Sequence, residues 1–542
     1  MLKVLSVKFW LLCLILNWLL ISGAITSVKA QSANRPEYLP DEVLVKFKDG
    51  VPQDTVDTII AGAGGAVVKK FRLIPALRLK IPAGTVESAI SLLKRFPEIE
   101  YVEPNYLRYL NAIPNDPDYP EMWGLNNTGQ TGGTLDADID APEAWDIATG
   151  NSSMVVADID TGLDLGHVDF AGNIYINPGE IPGNGIDDDA NGYIDDVNGW
   201  DFARDDNNPN EEAICGGHGT HTAGTIGARG NNGIGVTGVN WDVKIMPLKI
   251  FKVYFVILCS ASSADIISAI DYAAMMGVRV SNNSYGGGPY SQTEYDAIRA
   301  SRSIFVAAAG NDGSNNDTTP SYPASYNLNN IVSVAATDHN DARASFSNYG
   351  TTSVDLAAPG VSILSTTPNN TYSLFSGTSM ATPHVTGAVA LLMGNDPSFT
   401  NNEVKWRIFK GTDYKGLPVL TGGRLNIYKS LTLPAPVVTI DVIPTSSTTV
   451  SRGGNISYTV TVYNTGTTSQ TVNASVVAVY PNGGEAAIAT RTVTVPAGAT
   501  LSQGFSLTVP FGVPLGEYQL AGRAEIPSTS YDEDIELYTV AP

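Results

Sequence analysis

The chain reads as an α/β protein: a mostly parallel sheet with helices on both faces, preceded by a small α+β unit and followed by an all-β sandwich. Three observations carry this reading. Between about residues 113 and 433, short β-rich runs alternate with helical patterns. Residues 38–110 run strand, helix, strand, strand, helix, strand. From 435 to 542, Thr, Val and Ser alternate between breaks of Gly, Pro and Asn, with no helix signal. A chain of 542 residues is long enough for two or three cores, and 43% hydrophobic content is that of a globular protein.

The first thirty residues predict a signal peptide. Lys3 and Lys8 precede an apolar stretch over 9–25, and Val28-Lys29-Ala30 places small residues where a signal peptidase reads. An uncleaved anchor is the competing reading, since the apolar part nearly spans a bilayer. Cleavage would remove Cys13, leaving Cys215 and Cys259, which allow at most one bridge after export. In the next unit, "EVLVKFK" is a strand and "VPQDTVDTIIAGAG" a helix ending in glycines. The strands "AVVKKF" and "ALRLKIP", the helix of "TVESAISLLKRF" and the strand of "EIEYVEPNYLRYL" complete it. This is the order of a ferredoxin-like sandwich. Taken alone, it fits a regulatory or metal-binding module.

In the central region "MVVADID", "VKIMPLK", "VRVSNNS", "SIFVAAA" and "NIVSVAA" are the strands, with helices at "HGTHTAGTIGA" and "DIISAIDYAAMM". Such alternation puts functional sites at the carboxyl ends of the strands. The expected organisation is therefore 1–30 signal peptide, 31–112 leading unit, 113–433 α/β domain and 434–542 β-sandwich. Charge separates these parts. Residues 1–112 hold 14 Lys+Arg against 10 Asp+Glu, whereas the remaining 430 hold 18 against 44. A formal charge of -22 argues against nucleic acid or an acidic membrane as partner, and for cation binding.

Five histidines occur in the chain, two of them in "CGGHGTHTAG": His218 and His221. A strand ends in "DIDTG" at Asp160, and "FSGTSMATPHVTGAVALLM" starts a long apolar helix at Ser379. Singly, each has an ordinary explanation as a turn or a helix cap. Together, in the order Asp, His, Ser on an α/β chain, they fit an acid, base and nucleophile. A serine hydroxyl is a weak nucleophile until an imidazole takes its proton, and the imidazole needs a carboxylate to fix its tautomer. At a helix N-terminus Ser379 also offers its own N–H to a developing oxyanion, and Asn311 in "VAAAGNDG" is the second expected donor.

With "DIDTGLDLGHVDF", "GHGTHTAGTIGA", "VAAAGNDG" and "GTSMATPHVTG" the sequence resembles the subtilisin-like serine peptidases, the subtilases, over about 113–433. The resemblance implies a subtilisin-like sheet, a triad of Asp160, His218 and Ser379, and Asn311 in the oxyanion hole. His221, His384 and Thr378 become structural neighbours. The 31–112 unit resembles the family's propeptide, an intramolecular chaperone and inhibitor released by cleavage between residues 110 and 114. Segments 282–288 and "AAAGN" resemble the walls of the primary specificity pocket, naming Ser284, Tyr285, Gly286, Ala308 and Gly310. "PSYPASY" resembles its base, with a cis Tyr322–Pro323 bond. No carboxylate falls there, Ser321 preceding Tyr322, so large apolar or varied side chains are expected rather than Lys or Arg.

Calcium is the expected cofactor. "DDDANGYIDD" places Asp187, Asp189, Asn191 and Gly192 at positions one, three, five and six of a D-x-D-x-N-G loop. Asn198 at position twelve excludes an EF-hand proper, leaving Asp195 or Asp196 to complete the shell. From the resemblance alone, Asp116, Asp169 and Asn232 match ligands of the family's tight calcium site. The expected protein is thus a secreted, calcium-stabilised, monomeric serine endopeptidase. Its partners are peptide substrates and its own propeptide, with no nucleic acid and no membrane after signal removal. The rival reading is a binding or adhesive protein on an inactive scaffold of the same fold.

Two features depart from the pattern. Asp158 shares a strand face with Asp160, where relatives carry an aliphatic residue, so it should be buried and need a partner or a raised pKa. The run "IFKVYFVILC", 250–259, is interrupted only by Lys252 and is too short for a membrane span. It stands where the family has a polar loop that pairs with substrate. Three readings remain: an edge strand walling the groove, a buried hairpin away from substrate, and a local reading-frame error.

Overall fold

The computed structural model describes residues 38–106, 112–211, 215–254, 258–434, 437–480, 485–526 and 530–541. The expected signal peptide lies outside them, as do the first two residues of the expected cleavage segment, 110 and 111. The chain divides into two compact units, 1–110 and 111–542.

In the first unit β1 (Tyr38–Phe47), α1 (Gln53–Gly62), β2 (Ala66–Lys70), β3 (Ala76–Lys80), α2 (Val86–Leu93) and β4 (Ile99–Tyr106) follow the expected order. The sheet runs β2-β3-β1-β4 with every pair antiparallel, the ferredoxin-like arrangement. Val43, Val45 and Leu79 from the sheet meet Ile59, Ile60, Ile90 and Leu93 from the helices in one core.

The second unit is built on a nine-stranded sheet. Its strands are β5 (Gly150–Asp160), β6 (Trp200–Asp201), β7 (Asp242–Lys249), β10 (Val280–Asn283), β11 (Ile304–Ala308), β12 (Ile331–Thr337), β13 (Leu356–Pro359), β16 (Asp413–Tyr414) and β17 (Gly423–Arg424), in the order β16-β17-β13-β12-β11-β10-β5-β7-β6. Every pair but β16–β17 is parallel. Because β10, β11 and β12 are covered on both faces, they read as continuous buried runs rather than alternating ones. From β5 the chain passes to β7 on one side and returns to β10 on the other, so the topological switch opens a crevice at the carboxyl ends of β5 and β10.

Helices α3 (Ala141–Trp145), α4 (His218–Gly227), α5 (Ser263–Met275), α6 (Gln292–Ser301), α7 (Thr378–Asn395), α8 (Asn401–Lys410) and α9 (Ile427–Thr432) complete this part. Residues of α4 and α7 pack in the core of one face, and those of α5 and α6 in the core of the other. Helix α7 is buried almost all round, which explains its run of apolar and small residues. The 438–541 region forms a three-stranded and a five-stranded sheet around Val438, Ile440, Tyr458 and Leu520, the expected sandwich.

The run 250–259 is a hairpin rather than an edge strand of the large sheet. Strands β8 (Phe251–Tyr254) and β9 (Leu258–Ala261) pair only with each other, their connection lying outside the described residues. Ile250 is fully buried, Phe251 packs edge-on against Tyr285 at 6.3 Å, and Cys259 is disulfide-bonded to Cys215. Among the described residues no helix is long and apolar enough to cross a membrane.

Candidate active site

Asp160 is the last residue of β5, and the turn after it is tight. Gly162 has φ +108, and a Cβ there would lie 2.5 Å from the Pro209 carbonyl. A Cβ on Gly219 would sit 2.2 Å from the Gly162 carbonyl, so glycine at 219 is what lets α4 approach the strand end. That approach brings His218, the first residue of α4, to Asp160: Nδ1 and Oδ1 are 2.8 Å apart. The same Oδ1 accepts the Thr161 N–H at 2.7 Å. A carboxylate at Nδ1 places the ring proton there and leaves Nε2 as the acceptor. Burial opposes a charged imidazole, but the Asp160 carboxylate outweighs it, and the His218 pKa is raised. Glu211, buried behind the pair, accepts hydroxyl hydrogen bonds from Thr161 and Thr220 and the Thr220 N–H at 2.8 Å.

Ser379 is the second residue of α7 and half-buried. Pro383, four residues on, has no N–H to bond the Ser379 carbonyl. That carbonyl instead accepts Ser284 Oγ at 3.0 Å, while Ser379 Oγ donates to the Ser284 carbonyl at 2.9 Å. The hydroxyl is thus turned to the end of β10 rather than to the imidazole. Asn311 follows β11. Its Oδ1 accepts from Thr378 N and Oγ1 at 2.9 and 3.0 Å, which directs Nδ2 the other way. Asn311 Nδ2 and Ser379 N both lie 3.6 Å from the point a Cβ on Gly377 would occupy. Two donors therefore converge on a space that glycine keeps open.

His221 and His384 are buried outside this constellation. The Nε2–H of His221 donates to the Ile363 and Ser373 carbonyls at 3.0 and 3.1 Å, and burial holds its pKa down at about 3. The Nδ1–H of His384 donates to the Met380 carbonyl at 2.8 Å. Both are neutral struts.

The expected pocket residues also converge. A Cβ on Gly286 would lie 3.4 Å from the Tyr322 carbonyl and 3.9 Å from that of Ala308, and one on Gly310 would meet Ser321 Oγ at 3.2 Å. The Tyr322–Pro323 bond is cis. Tyr322 packs against Tyr290 and Tyr326 with centroids 5.4 and 4.6 Å apart. Behind them the buried carboxylate of Glu294 accepts Tyr326 OH at 3.3 Å, a residue the sequence did not single out.

The acidic loop gathers Asp187 and Asp189, but with Glu180. One carboxylate oxygen from each lies within 4.8 Å of the others. Oxygens that share a calcium ion at 2.3–2.6 Å are at most about 5 Å apart, so this oxygen-only donor set fits the ion. Asn191 bridges to Asp189 and Asp196 through Nδ2 at 3.2 and 2.9 Å. Asp195 accepts the Asn184 and Gly185 N–H groups, and buried Asp196 accepts from Asn177, Asn191 and Tyr272. Those two therefore brace the loop from outside the three-carboxylate group. Asp116, Asp169 and Asn232 meet elsewhere: Asn232 N donates to Asp116 at 3.1 Å, and its Nδ2 to Asp169 at 2.8 Å.

A serine hydroxyl, a hydrogen-bonded Asp–His pair and two converging N–H donors at the carboxyl ends of a parallel sheet are the groups an α/β serine peptidase would require. The chain belongs to the subtilase family, whose model (Peptidase_S8) matches residues 151–422, while a fervidolysin N-terminal prodomain model matches 25–105. It is 33% identical over 407 residues to the thermophilic serine proteinase of Bacillus sp. strain AK1, covering 74% of this chain and 90% of that one. Subtilisin NAT of Bacillus subtilis subsp. natto is 31% identical over 435 residues (78% and 98%), and thermitase of Thermoactinomyces vulgaris 38% over 266 (48% and 82%). The chain is thus a serine endopeptidase with a prodomain.

Proposed function

We propose that this endopeptidase is secreted, stabilised by calcium and matured by its own activity, with Asp160, His218 and Ser379 as triad and Asn311 in the oxyanion hole. The convergence of the Asp160–His218 pair, the Ser379 hydroxyl and the two donors around Gly377 carries this reading. Rotation about χ1 frees Ser379 Oγ from the Ser284 carbonyl and hands its proton to His218 Nε2. The oxygen attacks the scissile carbonyl, and Ser379 N and Asn311 Nδ2 hold the oxyanion. His218 protonates the leaving amine, and water then hydrolyses the acyl-enzyme by the same relay. The extended substrate runs along Ser284, Tyr285 and Gly286, with its primary side chain between Gly286, Ala308 and Gly310. Residues 31–112 act as intramolecular inhibitor, and the mature 113–433 domain works as a monomer with the 434–542 sandwich attached. A fluorophosphonate probe should label the wild-type protein at Ser379. Absence of labelling in folded protein refutes the triad.

Calcium would be held by Glu180, Asp187 and Asp189, with Asn191, Asp195 and Asp196 around them, and at a second site by Asp116, Asp169 and Asn232. Three carboxylates this close repel unless a cation lies between them. Chelation should cost about 3 kcal/mol when the ion had been present at roughly a hundredfold its Kd. The Asp187→Asn, Asp189→Asn pair should lose part of that dependence. Identical melting with calcium and with EDTA would remove the metal sites.

The 251–261 hairpin walls the groove through Phe251, which touches Tyr285. Phe251→Ser with Val253→Ser, leaving Cys259 in place, should fold yet weaken the preference for apolar residues upstream of the cut in a peptide-library digest. An unaltered cleavage profile means that the hairpin never meets substrate.

A further inference from the structure

Asp158 is 2% exposed and takes no part in the chemistry described above. It lies on β5 two residues before Asp160 and is paired in the sheet with Asn282 of β10. Asn282 Nδ2 donates to Asp158 Oδ1 at 2.8 Å and to Ser284 Oγ at 3.1 Å, and Ser284 Oγ donates on to the Ser379 carbonyl. Asn282 Oδ1 accepts Thr386 Oγ1 of α7 at 3.1 Å. On its other side, Asp158 Oδ2 is 3.1 Å from Thr222 Oγ1, one turn along α4 from His218. Thr222, Asn282, Ser284 and Thr386 are all buried. One carboxyl group thus joins the three elements that carry Asp160, His218 and Ser379.

The protons available around it leave room for a neutral carboxyl. Thr222 has a single hydroxyl proton, and the Gly219 carbonyl, 3.0 Å away, can only accept it. A charged Asp158 accepts that proton from Thr222 at 3.1 Å, whereas a neutral one can donate to Thr222 Oγ1 and leave the hydroxyl proton to Gly219, so that both acceptors are served. The charged groups acting on Asp158 are Asp160 on its own strand and His218 on α4, whereas β10 and α7 face it with the neutral side chains of Asn282, Ser284 and Thr386. Burial first, and the Asp160 charge second, push its pKa well above the ordinary value.

We propose that Asp158 is a positioning residue, a neutral carboxylic acid whose hydrogen bond with Thr222 fixes the strand of Asp160 against the helix of His218 and whose bond with Asn282 links it, through that side chain, to the helix of Ser379. This rests on the triad reading. Asp158→Val removes both bonds and should lower kcat about ten- to a hundredfold, the cost of a small misplacement of reacting groups, with KM within about twofold. Asp158→Asn can accept from Asn282 and donate to Thr222, as the neutral acid does, and should recover most of the loss.

Stability against pH is the second readout, measured on fluorophosphonate-inactivated protein to prevent autolysis. An acid with a raised folded pKa contributes stability that is complete below its unfolded value and is lost as pH rises towards the folded one. The melting temperature of Asp158→Asn, which does not titrate, should therefore gain on the wild type as pH rises above the ordinary carboxylate value of 3.8. Full kcat in Asp158→Val, an Asn variant as impaired as the Val variant, or a melting difference independent of pH would each overturn the proposal. If Asp158→Val does not fold, the Asn variant's melting profile decides alone. Failure of the wild type to take the fluorophosphonate overturns the triad and this proposal together. Normal labelling with failed Asp158 outcomes overturns this proposal only.

Discussion

Replacing Ser379 with alanine should abolish peptide hydrolysis and leave the prodomain attached, because both reactions need the same hydroxyl. The variant should accumulate as a precursor lacking only its signal peptide, visible as a single larger band, with a normal circular-dichroism spectrum. Nothing in the packing opposes this: Ser379 is half-buried at the start of α7, and alanine removes one oxygen without opening the core. Asn311→Ala should fold as well but lose about 10²–10³ in kcat, a magnitude established by removing the oxyanion-hole donor of a subtilisin, a member of this family. Its Oδ1 bonds with Thr378 are lost too, so Asn311→Asp, which keeps an acceptor but no Nδ2–H, separates the roles. If Ser379→Ala still matures alone and cleaves casein, the assignment of the nucleophile is wrong.

The next largest effect belongs to the Cys215–Cys259 bond. It closes a loop of 44 residues that contains His218, α4 and β7. Loop-closure entropy puts its contribution at about 4 kcal/mol, an upper figure if the unfolded chain keeps residual structure. Cys215 is three residues before His218, and Cys259 lies in the second strand of the hairpin, so the bond also ties the segment of His218 to that hairpin. The Cys215→Ser, Cys259→Ser variant should melt lower than wild type and autolyse faster. Reductant should bring wild type down to the variant's level and leave the variant unaffected. Equal melting temperatures with and without reductant would show that the bridge contributes nothing.

The candidate site was legible where its signature is local. "DIDTG", "GHGTH" and "GTSMATP" each hold a candidate triad side chain beside a glycine or proline. Gly162 and Gly219 are needed because a backbone carbonyl comes within 2.5 Å of where a Cβ would stand. Asp158 was legible too: the period-two geometry of a strand puts it on the face of Asp160, and it is buried there. The ferredoxin-like order and the sandwich followed from periodicity alone.

Contacts between residues distant in the chain were not legible. Glu211 behind Asp160, and Phe251 against Tyr285, each join segments whose composition carries no mark of the other, and whether Cys215 and Cys259 pair was left open by their number alone. Within the acidic loop, sequence spacing nominated Asp195 and Asp196, yet the folded loop occupies them with backbone and side-chain donors. Which oxygens face inward depends on backbone turns, Asp195 itself having φ +54, and not on position in a motif. The run 250–259 shows the same division. Its composition announced a β-structure that must be covered, but pairing partners are set by chain direction and by what packs alongside. Only the fold could make it a separate hairpin held by Phe251 against Tyr285 and by a disulfide. Local sequence specifies which residues can react and how each turn is made. Which of them meet is decided by the sheet order, because β5 lies between β7 and β10 and so carries Asp160 to both His218 and the Ser379 wall.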